Sequence, residues 1–149
     1  MKNMFAAVAA AAALMATVAP AQARDTKLMF PIAGAMAEND AKSKLGDDVQ
    51  FLFGDQKPAG KVLENLGSDK TSQKTNSVGK SAQTSCNWAF LSAMLQLKKR
   101  ANALGANAIV NIQSNYQNQP FSSVTEFECH DGAIMTGVAF KADFVRVDK

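Results

Sequence analysis

The chain has 149 residues, of which 47% are apolar and 19% charged, and 16 lysines and arginines against 13 acidic residues leave a formal charge of +3. So slight an excess, with no cluster of arginines interleaved with aromatic residues, gives no case for a nucleic-acid partner. The length supports one hydrophobic core and is too short for two ordinary domains.

The opening stretch MKNMFAAVAAAAALMATVAPAQARD has the pattern of an export signal. A positive region at Met1 to Asn3 precedes an apolar run from Met4 to Ala19, and Ala21 and Ala23 are small at the two positions a signal peptidase reads. The run is short for a membrane span, so residues 1 to 23 are expected to be removed, leaving a mature chain from Arg24 with no transmembrane segment. No cysteine stands at the cleavage point to take a lipid, and the loss of Lys2 leaves a charge of +2. The expected destination is the bacterial periplasm or the medium beyond it.

Residues 24 to 85 are expected to form the N-terminal strand and loop region of a domain whose main body is residues 86 to 149. Leu28 to Ile32, interrupted by Pro31, suits a short edge strand, because proline cannot donate to a sheet ladder. A helical turn or two is expected before Gly46, and Val49, Phe51 and Phe53 alternate as in a strand. From Asp55 to Gln83 the chain is rich in glycine, lysine, serine and threonine, which predicts surface loops with at most a short strand at AGKVLENLG or around Val78. VGKS at Val78 to Ser81 is no phosphate loop, since Lys74 stands where the first glycine is required.

The clearest element is a helix from about Asn87 to Leu104, with an apolar stripe of Trp88, Leu91, Met94 and Leu95 continuing to Ala101 and Leu104. Asn87 or Ser85 is expected to cap it, with Cys86 at its start, and Gly105 to end it. Ala108, Val110 and Ile112 then alternate as one face of a strand. In VTEFECHD, Phe127 and Cys129 alternate with Glu126, Glu128 and His130, so the histidine is expected on the face away from the core. Asp131 and Gly132 signal a hairpin turn, and the segment to Val147 is the returning strand, with a bend at Gly137. The fold class expected is α+β, one main helix packed on a small, largely antiparallel sheet.

Two cysteines in an exported chain make a Cys86 to Cys129 disulfide the first expectation, worth on the order of 4 kcal/mol through loop closure. A thiol-dependent enzyme would need one of these sulfurs reduced and within reach of His130, the only histidine, and there is no CxxC pair for thiol exchange. Glu126, Glu128 and His130 are the residues a divalent metal would use, against the plainer reading of a solvated sheet face. Tyr116 and Phe121 stand among six asparagines and glutamines in NIQSNYQNQPF and are candidate interface anchors for an envelope protein or a second copy. No catalytic residue is expected and no cofactor is called for.

The helix ending KKRANALGANAIVNIQ, the polar strand after it and the final GAIMTGVAFKADFVRV resemble the YbjQ-like domain family. That family is also called heavy-metal-binding-like; the resemblance implies an α+β fold able to form rings and brings no catalytic residues with it. More distantly the chain is similar to the envelope-stress sensor RcsF, although it has neither that sensor's lipid-bearing cysteine nor its proline-rich linker. The sequence therefore reads as a noncatalytic periplasmic binding or envelope-associated protein.

Overall fold

The computed structural model describes residues 23–149, so the expected leader lies outside the described residues except for Ala23. In chain order the elements are β1 (Asp25–Pro31), α1 (Ile32–Ala37), α2 (Ala41–Leu45), β2 (Gln50–Phe53), β3 (Val62–Asn76), α3 (Ala82–Leu104), β4 (Ala108–Ser114), a 3-10 turn (Tyr116–Asn118), β5 (Glu126–Gly132) and β6 (Met135–Val147). This is the expected α+β class, with one main helix on a sheet that is mixed and curled into half a barrel.

Strand β6 organises the sheet. Along one side it pairs antiparallel with β3 from Met135 to Val147. Its other side is shared: Thr136 and Gly137 pair with β5, and Phe140 to Val145 pair with β4. Strand β1 extends the β5 side antiparallel, and β2 joins β4 as the parallel pair. Because β5 and β4 diverge from a common neighbour, the sheet cannot stay flat, and α3 fills the hollow side.

Ser81 sets the start of α3, its Oγ accepting from the Thr84 amide at 3.1 Å, and Gly105 ends it in the left-handed region at φ 74°. The helix therefore begins several residues earlier than expected. Ser85 and Asn87 lie inside it as buried residues rather than caps, and Cys86 sits past its first turn. The stripe that meets the sheet also differs from the expected one: Cys86, Phe90, Met94, Leu97 and Ala101 are buried, whereas Trp88 is 37% exposed with the Lys44 ammonium 5.1 Å above its ring. Of the expected stripe Leu91, Met94 and Ala101 are buried in the core, and α1 and α2 also pack on the helix.

The segment expected to be loops contains the longest strand. Strand β3 has 15 residues, most of them exposed, and it carries no apolar alternation because it is held by its ladder to β6 rather than by side-chain burial. In β4 a register shift between Val110 and Gln113, with Asn111 at φ 52°, breaks the expected alternation. Ile109 and Ile112 consequently face the main core, while Ala108 and Val110 join a smaller cluster with Val145 and Val147. The Asp131–Gly132 signal is displaced too: both residues finish β5, and the chain reverses over Ala133 and Ile134.

The main core is a cluster drawing on α1, α2, β2, α3, β4, β5 and β6. At its centre Phe90 of α3 meets Phe127 at 4.7 Å and the edge of Phe140 at 5.7 Å between ring centroids. Beside them Cys86 and Cys129, both fully buried, form the expected disulfide. Reduction, or Cys86→Ala combined with Cys129→Ala, should lower the unfolding free energy by about 2–5 kcal/mol in urea denaturation; an unchanged midpoint would show that the aromatic cluster alone fixes α3.

Candidate functional site

Alternation along β5 places Phe127 and Cys129 in the core and Glu128 and His130 on the opposite face. On that face β1 supplies what the sequence reading did not foresee. Its register sets Lys27 opposite His130, and Asp25 lies just beyond.

The Nδ1 of His130 lies 2.8 Å from Asp25 Oδ1 and its Nε2 lies 2.6 Å from Glu128 Oε1. Tyr116 stacks on the imidazole, with ring centroids 3.3 Å apart and planes 12° from parallel, and its hydroxyl donates to Asp25 Oδ2 at 2.6 Å. Lys27 Nζ reaches Glu128 Oε2 at 3.4 Å, and the Glu128 amide donates to Ser114 Oγ at 2.9 Å. The tight turn that carries Tyr116 holds Gln117 and Asn118 at φ 50° and 60°, a conformation asparagine tolerates better than most residues. Folding of this turn over β5 explains why Glu128 is buried, although the sequence pattern reads as a solvated face.

The Tyr116 hydroxyl holds the Asp25 carboxyl below its ordinary value of 3.8, with His130 assisting against partial desolvation. The same bond, with desolvation adding to it, pushes the Tyr116 phenol above its ordinary value of 10.0.

Of the three candidate metal residues, Glu128 and His130 are brought together, and Asp25 completes the group in place of Glu126. Glu126 is exposed at the far end of β5, opposite Pro31. Among the described residues no group of three histidine, cysteine, aspartate or glutamate side chains is arranged to hold a metal ion. Both ring nitrogens of His130 already face carboxylate oxygens, so a cation would have to displace one of them. The two interface candidates are separated in role: Tyr116 is engaged by Asp25 and His130, whereas Phe121, 36% exposed, is bound through its backbone to Ser114. The cysteines offer no free thiol.

A second polar chain runs beside the disulfide. Arg24 donates to Asp131 at 2.9 Å, Thr136 Oγ1 lies 2.8 Å from the same carboxylate, and Ser85 Oγ lies 3.2 Å from Thr136. Between the two chains opens a hollow of about 510 Å³ lined by Arg24, Asp25, Lys74, Tyr116, His130 and Met135 among others. A second hollow of about 480 Å³ lies on the other side of Tyr116, lined by Lys70, Lys74, Asn115, Gln117 and Asn118 without any carboxylate. Asp25 and Lys74 belong to strands more than fifty residues from His130 in sequence, and no local pattern announces their approach.

No family model and no curated protein matches the chain. Among solved structures it is similar to the crystal structure of a protein with unknown function from Pediococcus pentosaceus ATCC 25745, which belongs to the DUF74 family. The two are 13% identical, the match covers 67% of this chain and 98% of that one, and the TM-score is 0.45. The likeness is distant and concerns structure.

The Asp25 carboxyl is lowered on folding, so its contribution is present above the ordinary carboxylate range and is lost as pH falls through the folded value. The Tyr116 phenol is raised, so its contribution is present below 10.0 and is lost as pH rises through the folded value. Protection of the β1 amides from hydrogen exchange, relative to their intrinsic rates, should therefore be greatest between these limits. Tyr116→Phe should abolish the alkaline limb and move the acid limb up toward 3.8. Because the chain has a single tyrosine, its phenolate absorbance reads Tyr116 directly, and titration at the ordinary 10.0 would refute the bond to Asp25.

Proposed function

We propose that this chain is a noncatalytic, exported binding module of the bacterial envelope, and that the sheet face around Tyr116 is its binding surface. The observation that carries the reading is the division of the sheet. Both cysteines are closed in a buried bond on the helix side, while the opposite side presents Tyr116, Lys70, Lys74 and several amide side chains around open hollows. Hollows with a few convergent polar groups beside an aromatic ring suit ligand or partner binding. The export pattern at residues 1 to 23, the oxidised cysteine pair and the resemblance to YbjQ-like domains, with the more distant one to RcsF, all support an envelope setting. Pairing with a further copy is a compatible use of the exposed strand edges.

Expressed with its leader in a bacterium, the protein should be recovered from the periplasm with an intact mass beginning at Arg24, in the disulfide form and inert to alkylation. A photoreactive residue replacing Tyr116 should give adducts with envelope components, and one replacing Trp88 on the helix side should not. An unprocessed, alkylatable chain retained in the cytoplasm would overturn the proposal.

A further inference from the structure

One end of the molecule carries an apolar tip at the rim of the binding surface. The β5–β6 hairpin reverses over Ala133 and Ile134, and the Ser77 amide donates to Ile134 O at 3.0 Å, which brings Val78 beside the hairpin. Ile134 is 66% exposed, Val78 60% and Met135 43%. Two-residue hairpin loops favour asparagine, aspartate and glycine, so turn geometry does not account for an isoleucine here. Core packing does not account for it either, because none of the three side chains belongs to a buried cluster.

The charges around the tip leave a positive excess once ion pairs are subtracted. Lys74 lines the hollow that Ile134 and Met135 also line, and Lys80 Nζ is held at this end by Asn76 O at 3.0 Å. Of the nearby carboxylates Asp131 is paired with Arg24, and Asp25, which accepts from Tyr116, is the one negative charge set against Lys74 and Lys80. The opposite end of the molecule offers a contrast. There Val62 and Leu63 are also exposed, but the adjoining charges are mixed, with Glu64 paired to Arg146 and Asp148 bonded to the Lys61 amide.

The position of the chain's entry selects the partner. Ala23 and Arg24 line the same hollow as Ile134 and Met135, so the chain enters the described fold at this tip, and the apolar run Met4 to Ala19 precedes that point by a few residues in sequence. A membrane that held this run during export would lie close to the tip. We propose that this end docks on a lipid bilayer with anionic headgroups. Ile134, Met135 and Val78 enter the boundary between headgroups and acyl chains, and Lys74 and Lys80 meet the headgroup phosphates. Docking here leaves the Tyr116 face beside the membrane. The inference rests on the exported role proposed above, and it gives that role a location on the membrane surface.

The test is sedimentation of the chain from Arg24 to Lys149, which holds the whole described fold, with vesicles of phosphatidylethanolamine and phosphatidylglycerol. The protein should sediment with them, and several-fold less with phosphatidylcholine vesicles or at high salt. Ile134→Asp should lower partitioning roughly tenfold or more, and Lys74→Glu with Lys80→Glu should lower it as well. Leu63→Asp, at the other end, should leave it unchanged. All these positions are exposed, and an unchanged thermal unfolding midpoint verifies that each variant is folded. Absence of vesicle binding, or binding by Ile134→Asp equal to the parent, overturns the proposal. So does self-association of the parent that Ile134→Asp abolishes without any vesicle binding, which assigns the tip to a second copy. Vesicle binding by a chain that cells fail to export leaves the docking surface standing and removes the exported role, and export without vesicle binding does the reverse.

Discussion

The buried bond between Cys86 and Cys129 is the constraint on which the two faces of the sheet depend. It joins α3 to β5 at the point where Phe90 and Phe127 also meet, so one covalent and one aromatic contact fix the same crossing. Alternation then does the rest: with Cys129 locked inward, His130 must project outward, and Glu128 with it. A slip of one residue in β5 would exchange the two sets and bury a histidine against phenylalanine. The disulfide thus sets the direction in which the polar cluster faces, besides adding stability.

The outward cluster in turn holds the first strand. Asp25 accepts from Tyr116 and faces His130, and Arg24 is bound to Asp131 and the Gly132 carbonyl. Strand β1 is therefore joined to the fold by its ladder to β5 and by side chains at its first residues. Individual exposed ion pairs contribute little, but these share partners and enclose half-buried groups, which is the condition under which such a network holds a segment in place.

How much of this was legible depended on the range of the interaction involved. The inward position of Cys129 and outward position of His130, the glycine that ends α3 and the edge character of β1 all follow from patterns a few residues long, and they stand in the structure as the sequence implies. Strand β3 was illegible because its serines, threonines and lysines are selected by neither face of a core; only its partner β6 makes it a strand. The phase of β4 was misread because one residue, Asn111, takes a positive φ and shifts the alternation after it. Among the candidate site residues, Glu128, His130 and Tyr116 were visible as unusual side chains. That they converge, and that Asp25 rather than Glu126 joins them, is decided by the pairing of β1 with β5 and by a turn folding back over both.

The central strand also fixes when the domain can form. Strand β6 follows β3, β4 and β5 in the chain, and each of them pairs with it. During synthesis, which delivers the N-terminal part first, those strands have no common neighbour to join them until residues 135–147 emerge, and Cys86 waits for Cys129 in the same way. A domain assembled around its last strand stays open until that strand has been made.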